Sequence, residues 1–315
     1  MGWWRESPWR RLEAAGFLGM NRRNGDYLAP GNPRGRYPLV DDKLVTKQLA
    51  QAAGMAVPEL YAVVETERQI HAQASLLPSR GEFVIKPAHG SGGLGVLVID
   101  GMREGRYRKA SGALLEQGAV EHHLSNILAG LYSLGGQPDR ALIEYRAHSD
   151  PLFEGIAPCG VADIRILVYR GVPVMAMLRL PTGQSDGKSN LHRGAIGVGV
   201  SLSGGRTGSA IRHERWIDVH PDTERPLSGL SVPHWERMLE LAAQCHDLTG
   251  LEYIGVDIVL DRTRGPLLME INARPGLAIQ LANRAGLLPR LKRVDSWESL
   301  PVAAARRARL ARELD

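Results

Sequence analysis

Two acidic residues near the C-terminal end lie in neighbouring apolar segments that a Gly/Pro-containing turn separates. Asp257 and Glu270 each occupy a β-rich run, and the turn between the runs contains Gly265 and Pro266. This pattern predicts a β-hairpin, which can bring the two carboxylates side by side. Asn272 is two residues beyond Glu270, so strand alternation directs both side chains to the same face.

Two carboxylates and an amide oxygen on one face are the hard oxygen ligands that Mg²⁺ takes in proteins. The alternative is a strand end with solvated acids, which is the commoner explanation for an isolated Asp/Glu pair. Here both acids lie within apolar strands, where an unpaired charge costs roughly several kcal/mol. We therefore favour a metal site formed by Asp257, Glu270 and Asn272.

A glycine-rich segment, Gly90–Gly95, matches the letters of the dinucleotide-binding pattern G-x-G-x-x-G. That motif requires a helix after the glycines, whereas the residues that follow, Val96–Ile99, form a β-rich run. A strand–loop–strand unit is instead typical of a flap whose backbone N–H groups can cover phosphates. Lys86 lies on the preceding apolar strand, where a charge requires a counter-ion. An ordinary glycine-rich hairpin remains the alternative for the loop taken alone.

The hydrophobic pattern predicts the elements that position these residues. The predicted helices cover 8–17, 41–54, 67–77, 119–134, 233–249 and a segment after Pro275-Gly276, and the predicted strands outside the metal hairpin cover 59–64, 83–87, 96–99, 141–145, 163–169 and 172–180. The last two strands form a hairpin that turns at Arg170-Gly171. The Ala/Arg-rich tail, 301–314, is expected to be an exposed helix whose arginines form a solvated face.

The composition excludes several classes of protein. The chain has 315 residues, of which 43% are hydrophobic and 23% charged, as in a globular protein. The net charge of +5 suits an anionic substrate, but the basic residues are not interleaved with aromatic ones, so we expect no nucleic-acid partner. Cys159 and Cys245 are the only cysteines, which argues against disulfides or zinc. We expect no membrane span, no signal peptide and a cytoplasmic location.

The ordered set of motifs resembles the ATP-grasp superfamily, and within it the α-L-glutamate ligase-like relatives of the ribosomal-protein-S6 glutamate ligases. The resemblance runs from about residue 41 to 291 and rests on these motifs: Asp42-Lys43, Val84–Pro87 with the glycine flap, Glu144-Tyr145, Asp163-Ile-Arg165, Ser189–Gly194 and the 257–272 hairpin. It implies an α+β fold in which two lobes clamp ATP, without a full-size N-terminal pre-ATP-grasp domain. We expect an N-terminal extension (1–40), an N-lobe with the flap (41–140), a C-lobe with the metal hairpin (141–295) and a tail (296–315).

The resemblance also implies a role for each matching residue. Those expected to bind ATP are Lys43, Lys86, Ser91, Gly92, Gly93, Glu144, Tyr145, Asp163 and Lys188. Those expected to hold the acceptor carboxylate or the transferring phosphoryl group are Arg165, Asn190, Arg193 and Arg274. Asp257, Glu270 and Asn272 would bind two Mg²⁺ ions, with Mn²⁺ as an alternative. His89 and His192 lie within the motifs and are more often structural than acid/base residues.

The implied reaction is an ATP-dependent ligation of a carboxylate to an amine through an acylphosphate, with an amino acid or peptide as substrate. Two alternatives stay open. One is a kinase-like phosphotransferase, or a ligase with a hydroxyl or thiol nucleophile. The other is a catalytically silent ATP-binding regulatory module, which the intact metal triad and both lysines argue against. Because only about 40 residues precede Lys43, a homodimer or a partner protein is expected to complete the acceptor pocket.

Overall fold

The structure is a computed structural model that describes residues 7–90, 92–133 and 135–315. Its strands are β1 (Leu60–Val64), β2 (Phe83–Pro87), β3 (Leu97–Arg103), β4 (Arg106–Lys109), β5 (Leu114–Leu115), β6 (Ala141–Glu144), β7 (Asp163–Tyr169), β8 (Val172–Leu180), β9 (Ile196–Val200), β10 (Thr207–Arg212), β11 (Arg215–Ile217), β12 (Tyr253–Asp261) and β13 (Gly265–Asn272). Its α-helices are α1 (Pro8–Ala14), α2 (Met20–Arg22), α3 (Ala29–Gly31), α4 (Pro38–Asp41), α5 (Lys43–Ala52), α6 (Glu67–Ala74), α7 (Gln117–Leu128), α8 (Pro151–Glu154), α9 (Trp235–Thr249), α10 (Ile279–Asn283), α11 (Leu288–Asp295) and α12 (Ala304–Leu310).

A smaller sheet carries the glycine-rich loop. Its order is β1-β6-β2-β3-β4-β5, and the strand pairs are antiparallel. Helices α6 and α7 pack together, and buried side chains such as Phe83, Ile85 and Leu124 form one core between helices and sheet. Strand β3 follows the glycines, as the sequence predicts, and pairs with β2.

A larger sheet carries the predicted metal hairpin. Its order is β11-β10-β9-β8-β7-β12-β13, with antiparallel pairing throughout. Every residue of β8 and of β12 is buried. The hairpin turn at Arg170-Gly171 occurs where the sequence predicts it. The turn of the metal hairpin occupies residues 262–264, so the predicted turn residues Gly265 and Pro266 instead begin β13. With two antiparallel sheets and packed helices, the molecule has an α+β fold.

The predicted helix over 41–54 is divided at Asp42. The Asp42 side chain accepts hydrogen bonds from the backbone N–H groups of Leu44 and Val45, so this residue is the N-cap of α5. Asp41 consequently ends the short helix α4. Lys43 therefore begins a helix at a fixed position rather than lying within a longer one.

The two chain ends pack on the larger sheet. Leu18, Tyr27 and Val40 belong to the core of that sheet, so the segment before Lys43 is part of the packed structure. In the tail, the expectation of solvated arginines is wrong for Arg307. Only 4% of that residue is exposed, and its guanidinium pairs with Asp247 at 2.6 Å. The ion pair supplies the counter-charge that makes its burial tolerable.

Candidate functional site

The β12–β13 hairpin brings the predicted metal ligands together. Asp257 is the direct cross-strand partner of Glu270, and Gly255 is the partner of Asn272. The Asn272 side-chain amide donates to Asp257 Oδ2 at 3.3 Å. The three oxygen-bearing side chains therefore lie at one end of the hairpin, as the spacing predicts.

Asp257 is buried and held by two arginines from neighbouring strands. Arg165 on β7 donates Nε to Oδ1 at 2.7 Å and Nη2 to Oδ2 at 2.6 Å. Arg179 on β8 lies 2.9 Å from Oδ2 through Nη2. Arg179 also forms a bidentate ion pair with Asp163, in which Nε donates to Oδ1 and Nη2 donates to Oδ2 at 2.6 Å. These four residues form a cluster of two cations and two anions, called the Asp/Arg cluster below, in which Asp257 and Arg179 are buried and Asp163 and Arg165 are half-buried.

Burial and arginine contact act in opposite directions on the two aspartates. Burial alone would raise the pKa of Asp257, but Arg165 and Arg179 prevail and hold it at about 2. Burial raises the pKa of Asp163 to about 6, with Arg179 opposing the rise and the Asp257 charge adding to it. The cluster keeps Asp257 ionised, which is the state a metal ligand needs.

Lys43 connects the two halves of the site. Its Nζ lies 3.3 Å from Glu270 Oε1 on the larger sheet and also donates to the carbonyl of Gly90 at the base of the glycine loop. Because Lys43 follows the N-cap Asp42, its position relative to the loop is set by the start of α5. The carboxylate hairpin and the glycine loop therefore meet at this one side chain.

Lys86 does not stand alone on β2. It forms an ion pair with Glu144 at the end of β6, and Lys47 on α5 lies 2.9 Å from the other Glu144 oxygen. Lys47, Lys86 and Glu144 are all at most 7% exposed, and they are called the Lys/Glu cluster below. Although burial would raise the pKa of Glu144, Lys86 and Lys47 lower it. Burial lowers the pKa of Lys47, with Glu144 opposing the shift and the charge of Lys86 adding to it.

The glycine loop approaches the larger sheet's segment 188–193. Gly92 and Gly93 have left-handed backbone angles (φ 61° and 72°), which other residues rarely adopt. The Asn190 amide donates to the Gly92 carbonyl at 3.4 Å, and a Cβ on Gly93 would lie 3.6 Å from Lys188 Cδ. The predicted site residue Ser91 lies outside the described residues.

The other predicted residues are Tyr145, Arg193 and Arg274. The Tyr145 hydroxyl donates to Asp261 Oδ2 at 3.1 Å, and the Arg264 guanidinium stacks 3.8 Å from the ring centroid. Arg193 is exposed beside Asn190, and Arg274 is exposed with Asp41 Oδ2 3.7 Å from its Nη2.

Neither histidine of the motifs faces the carboxylate hairpin in these contacts. His89 Nδ1 lies 2.8 Å from Asp139, while exposed His192 is held through its backbone N–H by Asn190. Both contacts favour the structural interpretation of these residues.

The donor set of the hairpin fits a hard divalent cation. Within the described ranges, no group of three or more His, Cys, Asp or Glu side chains is arranged to hold a metal, so the amide of Asn272 is needed as a third ligand. Its Nδ2 points at Asp257, which leaves Oδ1 as the free acceptor. Glu270 retains a second oxygen beyond the one that faces Lys43. Mg²⁺ takes such oxygens and completes its shell with water and phosphate.

Two members of these clusters, Arg179 and Lys47, are absent from the predicted site. Arg179 lies in the apolar strand Val172–Leu180, so the signal that identified Lys86, a charge within an apolar run, would also have identified it. Lys47 carries no such signal, because a lysine on an amphipathic helix is usually solvated. Only the packing of α5 against β6 reveals its role.

The sequence matches the family described as sugar-transfer associated ATP-grasp over residues 22–296. A probable α-L-glutamate ligase of Syntrophotalea carbinolica is 26% identical over 238 residues, covering 75% of this chain and 56% of that protein. One of Klebsiella pneumoniae is 34% identical over 124 residues, covering 39% and 30%. The chain therefore spans about a third to just over half of these relatives' length.

Among solved structures, D-alanyl-alanine synthetase A of Vibrio cholerae superposes with a TM-score of 0.48 at 10% identity, covering 83% of this chain and 62% of that one. A D-alanine–D-alanine ligase of Bacillus anthracis complexed with ATP gives 0.42 at 13% identity, covering 89% and 66%. The family match covers most of the chain, including the N-terminal residues 22–40. The chain belongs to the sugar-transfer associated ATP-grasp family.

Proposed function

We propose that this protein is an ATP-dependent ligase that joins a carboxylate to an amine through an acylphosphate, with an amino acid or a peptide as substrate. The observation that carries the proposal is the contact of Lys43 with both Glu270 and the base of the glycine loop. This contact puts a cation between the carboxylate hairpin and the loop proposed to cover phosphates. Phosphoryl transfer depends mainly on such positioning and charge neutralisation.

In this proposal the cations hold the triphosphate. Lys43 and Lys86 bind phosphate oxygens while the loop with Gly92 and Gly93 closes over them and excludes water. Glu144 and Tyr145 line the adenine side, Asp163 lies near the ribose, and Lys188 contacts phosphate from the larger sheet.

Asp257, Glu270 and Asn272 would hold Mg²⁺, which neutralises charge on the phosphates when it is bound.

The acceptor carboxylate is held by three other side chains. Arg165, Asn190 and Arg193 orient it, and Arg274 neutralises the transferring phosphoryl group. These two arginines differ in their surroundings, since Arg165 is half-buried and already paired with Asp257, whereas Arg193 is exposed. Arg193 is therefore the side chain that a new carboxylate can most easily engage.

The test is ADP release from Mg²⁺-ATP with a panel of carboxylates and amines, singly and in pairs, followed by mass spectrometry of the products. Amino acids and short peptides form the panel, and amino sugars are included because the family is described as associated with sugar transfer. A product lighter by one water than the sum of its two substrates would support the ligase.

The outcomes separate the alternatives. A phosphorylated product without condensation would favour a phosphotransferase, and nucleotide binding without turnover on any pair would favour the regulatory module. Glu270→Gln should lower the ADP release by about 100-fold or more, while Glu236→Gln, which changes an exposed carboxylate paired with Arg312, should leave it unchanged. That a homodimer or a partner protein completes the acceptor pocket stays a prediction. It is tested by measuring the elution volume in gel filtration together with the activity of the eluted protein.

A further inference from the structure

The loop that carries Arg274 is held on both sides by the N-terminal segment. The Asn32 amide donates to the carbonyl of Ala273 at 3.1 Å, and Arg23 Nη1 donates to the carbonyl of Pro275 at 2.7 Å. Each neighbour of Arg274 therefore has its carbonyl fixed by a side chain from far away in the sequence.

Asn32 also fixes the other strand of the metal hairpin. Its amide donates to the Tyr253 carbonyl at 2.7 Å, and its oxygen accepts from the Tyr253 N–H at 2.9 Å. Asn32 is 2% exposed, and a buried side chain with this many bonds has one orientation. It thereby joins the first residue of β12 to the residue that follows β13.

The loop has little freedom where it crosses β12. A Cβ at Gly255 would lie 2.6 Å from Pro275 Cβ, so the loop packs directly on the strand backbone. Gly255 is also the cross-strand partner of the proposed metal ligand Asn272. A shift of the loop would consequently displace the backbone at the end of the hairpin that carries the proposed metal ligands.

The Arg274 side chain meets the same segment. Its guanidinium lies 5.1 Å from the centroid of the Tyr37 ring, and Nη2 lies 3.7 Å from Asp41 Oδ2. Two residues after Asp41, Lys43 contacts Glu270. The guanidinium is therefore held at the junction where α4 and α5 meet the end of β13.

We propose that three residues of the segment 23–41, namely Arg23, Asn32 and Tyr37, position Arg274 without touching substrate themselves. The inference rests on the proposed function, because it assigns Arg274 to the γ-phosphoryl group. A contact that only stabilised the fold could be made anywhere on the molecule. Arg36 makes such a contact, because it donates to the Thr249 carbonyl at 3.0 Å, at the end of helix α9 rather than beside Arg274.

The test needs no acceptor substrate. In the presence of Mg²⁺, we would measure the affinity of the wild-type chain for adenylyl imidodiphosphate and its affinity for ADP. The ratio of the first affinity to the second reports contact with the γ-phosphate, which only the first nucleotide carries. Tyr37→Leu and Arg23→Gln are the test variants, Tyr37→Phe retains the aromatic ring, and Arg36→Gln is the matched control.

We expect Tyr37→Leu and Arg23→Gln to lower that ratio about tenfold, while Tyr37→Phe and Arg36→Gln leave it unchanged. In an Arg274→Gln background the Arg23 and Tyr37 substitutions should have no further effect, because they act through Arg274. Thermal unfolding of each variant identifies any that fails to fold, and Tyr37, which is partly exposed, is the substitution expected to be best tolerated.

Equal ratios for Arg23→Gln, Tyr37→Leu and Arg36→Gln would overturn the inference and leave the proposed function intact. Additive losses in the Arg274→Gln background would overturn it as well. A wild-type chain that binds neither nucleotide would instead refute the proposed function, and this inference with it.

Discussion

The two buried charge clusters differ in their balance. The Asp/Arg cluster on the larger sheet pairs two arginines with two aspartates, whereas the Lys/Glu cluster beside the smaller sheet has two lysines and one glutamate. A balanced buried cluster can be stable by itself, but an excess buried charge is costly until a counter-ion arrives. The difference suggests that the Asp/Arg cluster is built to fix Asp257, and the Lys/Glu cluster to receive an anion.

The largest effect is expected at the single anion of the Lys/Glu cluster. Glu144→Gln leaves two buried lysines without a counter-charge and should lower the free energy of unfolding by about 3–5 kcal/mol, measured by urea denaturation. Lys47→Met leaves the balanced Lys86–Glu144 pair and should cost less than about 1 kcal/mol. If Lys47→Met proves the costlier of the two, the excess of positive charge is not the controlling feature.

Breaking the balance of the Asp/Arg cluster should have the next largest effect. Arg179→Met removes both bonds to Asp163 while Asp257 keeps Arg165, so we expect a loss of about 3 kcal/mol in unfolding free energy. Adding Asp163→Asn to that variant removes the stranded charge and should restore part of the loss. A double variant less stable than Arg179→Met would contradict this account.

Glu270 should affect chemistry without affecting the fold. Its side chain is 31% exposed and its ion pair with Lys43 spans 3.3 Å, so Glu270→Gln should change the unfolding free energy by less than about 1 kcal/mol. ADP release should nevertheless fall by about 100-fold or more. Measuring both quantities on one preparation distinguishes this residue from the cluster residues, and a loss of stability matching the loss of turnover would place Glu270 with them.

The smallest effect is expected outside both clusters, at His246 on α9. Burial alone would lower its pKa, but contacts with Glu252 and Asp247 prevail and raise it above the ordinary 6.5. Because the folded-state pKa is the higher one, the stabilisation is fully present below the unfolded-state value and is lost as the pH rises through the folded-state value. His246→Gln should cost about 0.5 kcal/mol at pH 5.5 and nothing at pH 9. An unfolding difference that grows with pH would have the wrong sign.

Much of the fold was predictable because strand and turn patterns are local. The hairpins at Arg170-Gly171 and at 257–270, and the strand after the glycine loop, depend on alternation and turn residues within a few positions. Element ends were less predictable. The helix that begins at Gln117 ends at Leu128 rather than continuing to 134, and the strand expected over 96–99 continues to Arg103. Such ends depend on packing and pairing partners that the local pattern does not contain.

Two buried arginines differ in whether their burial could be predicted from the sequence. Arg179 could have been recognised as a buried cation because its whole strand is apolar. Arg307 could not, because it lies among Ala and Arg residues whose pattern is typical of a solvated helix, and only Asp247 on α9 provides its partner.

The sequence by itself determined which residue types are available for chemistry and which of them share a hairpin face. It could do so because strand alternation and turn formation depend on residues close together in the chain. Only the tertiary structure decided which charges neutralise one another. Lys47 reaching Glu144, Arg179 reaching Asp257, and Asn32 and Arg23 enclosing Arg274 are all contacts between distant segments. Their energies depend on burial and on interatomic distance, and both exist only once the helices and sheets have packed.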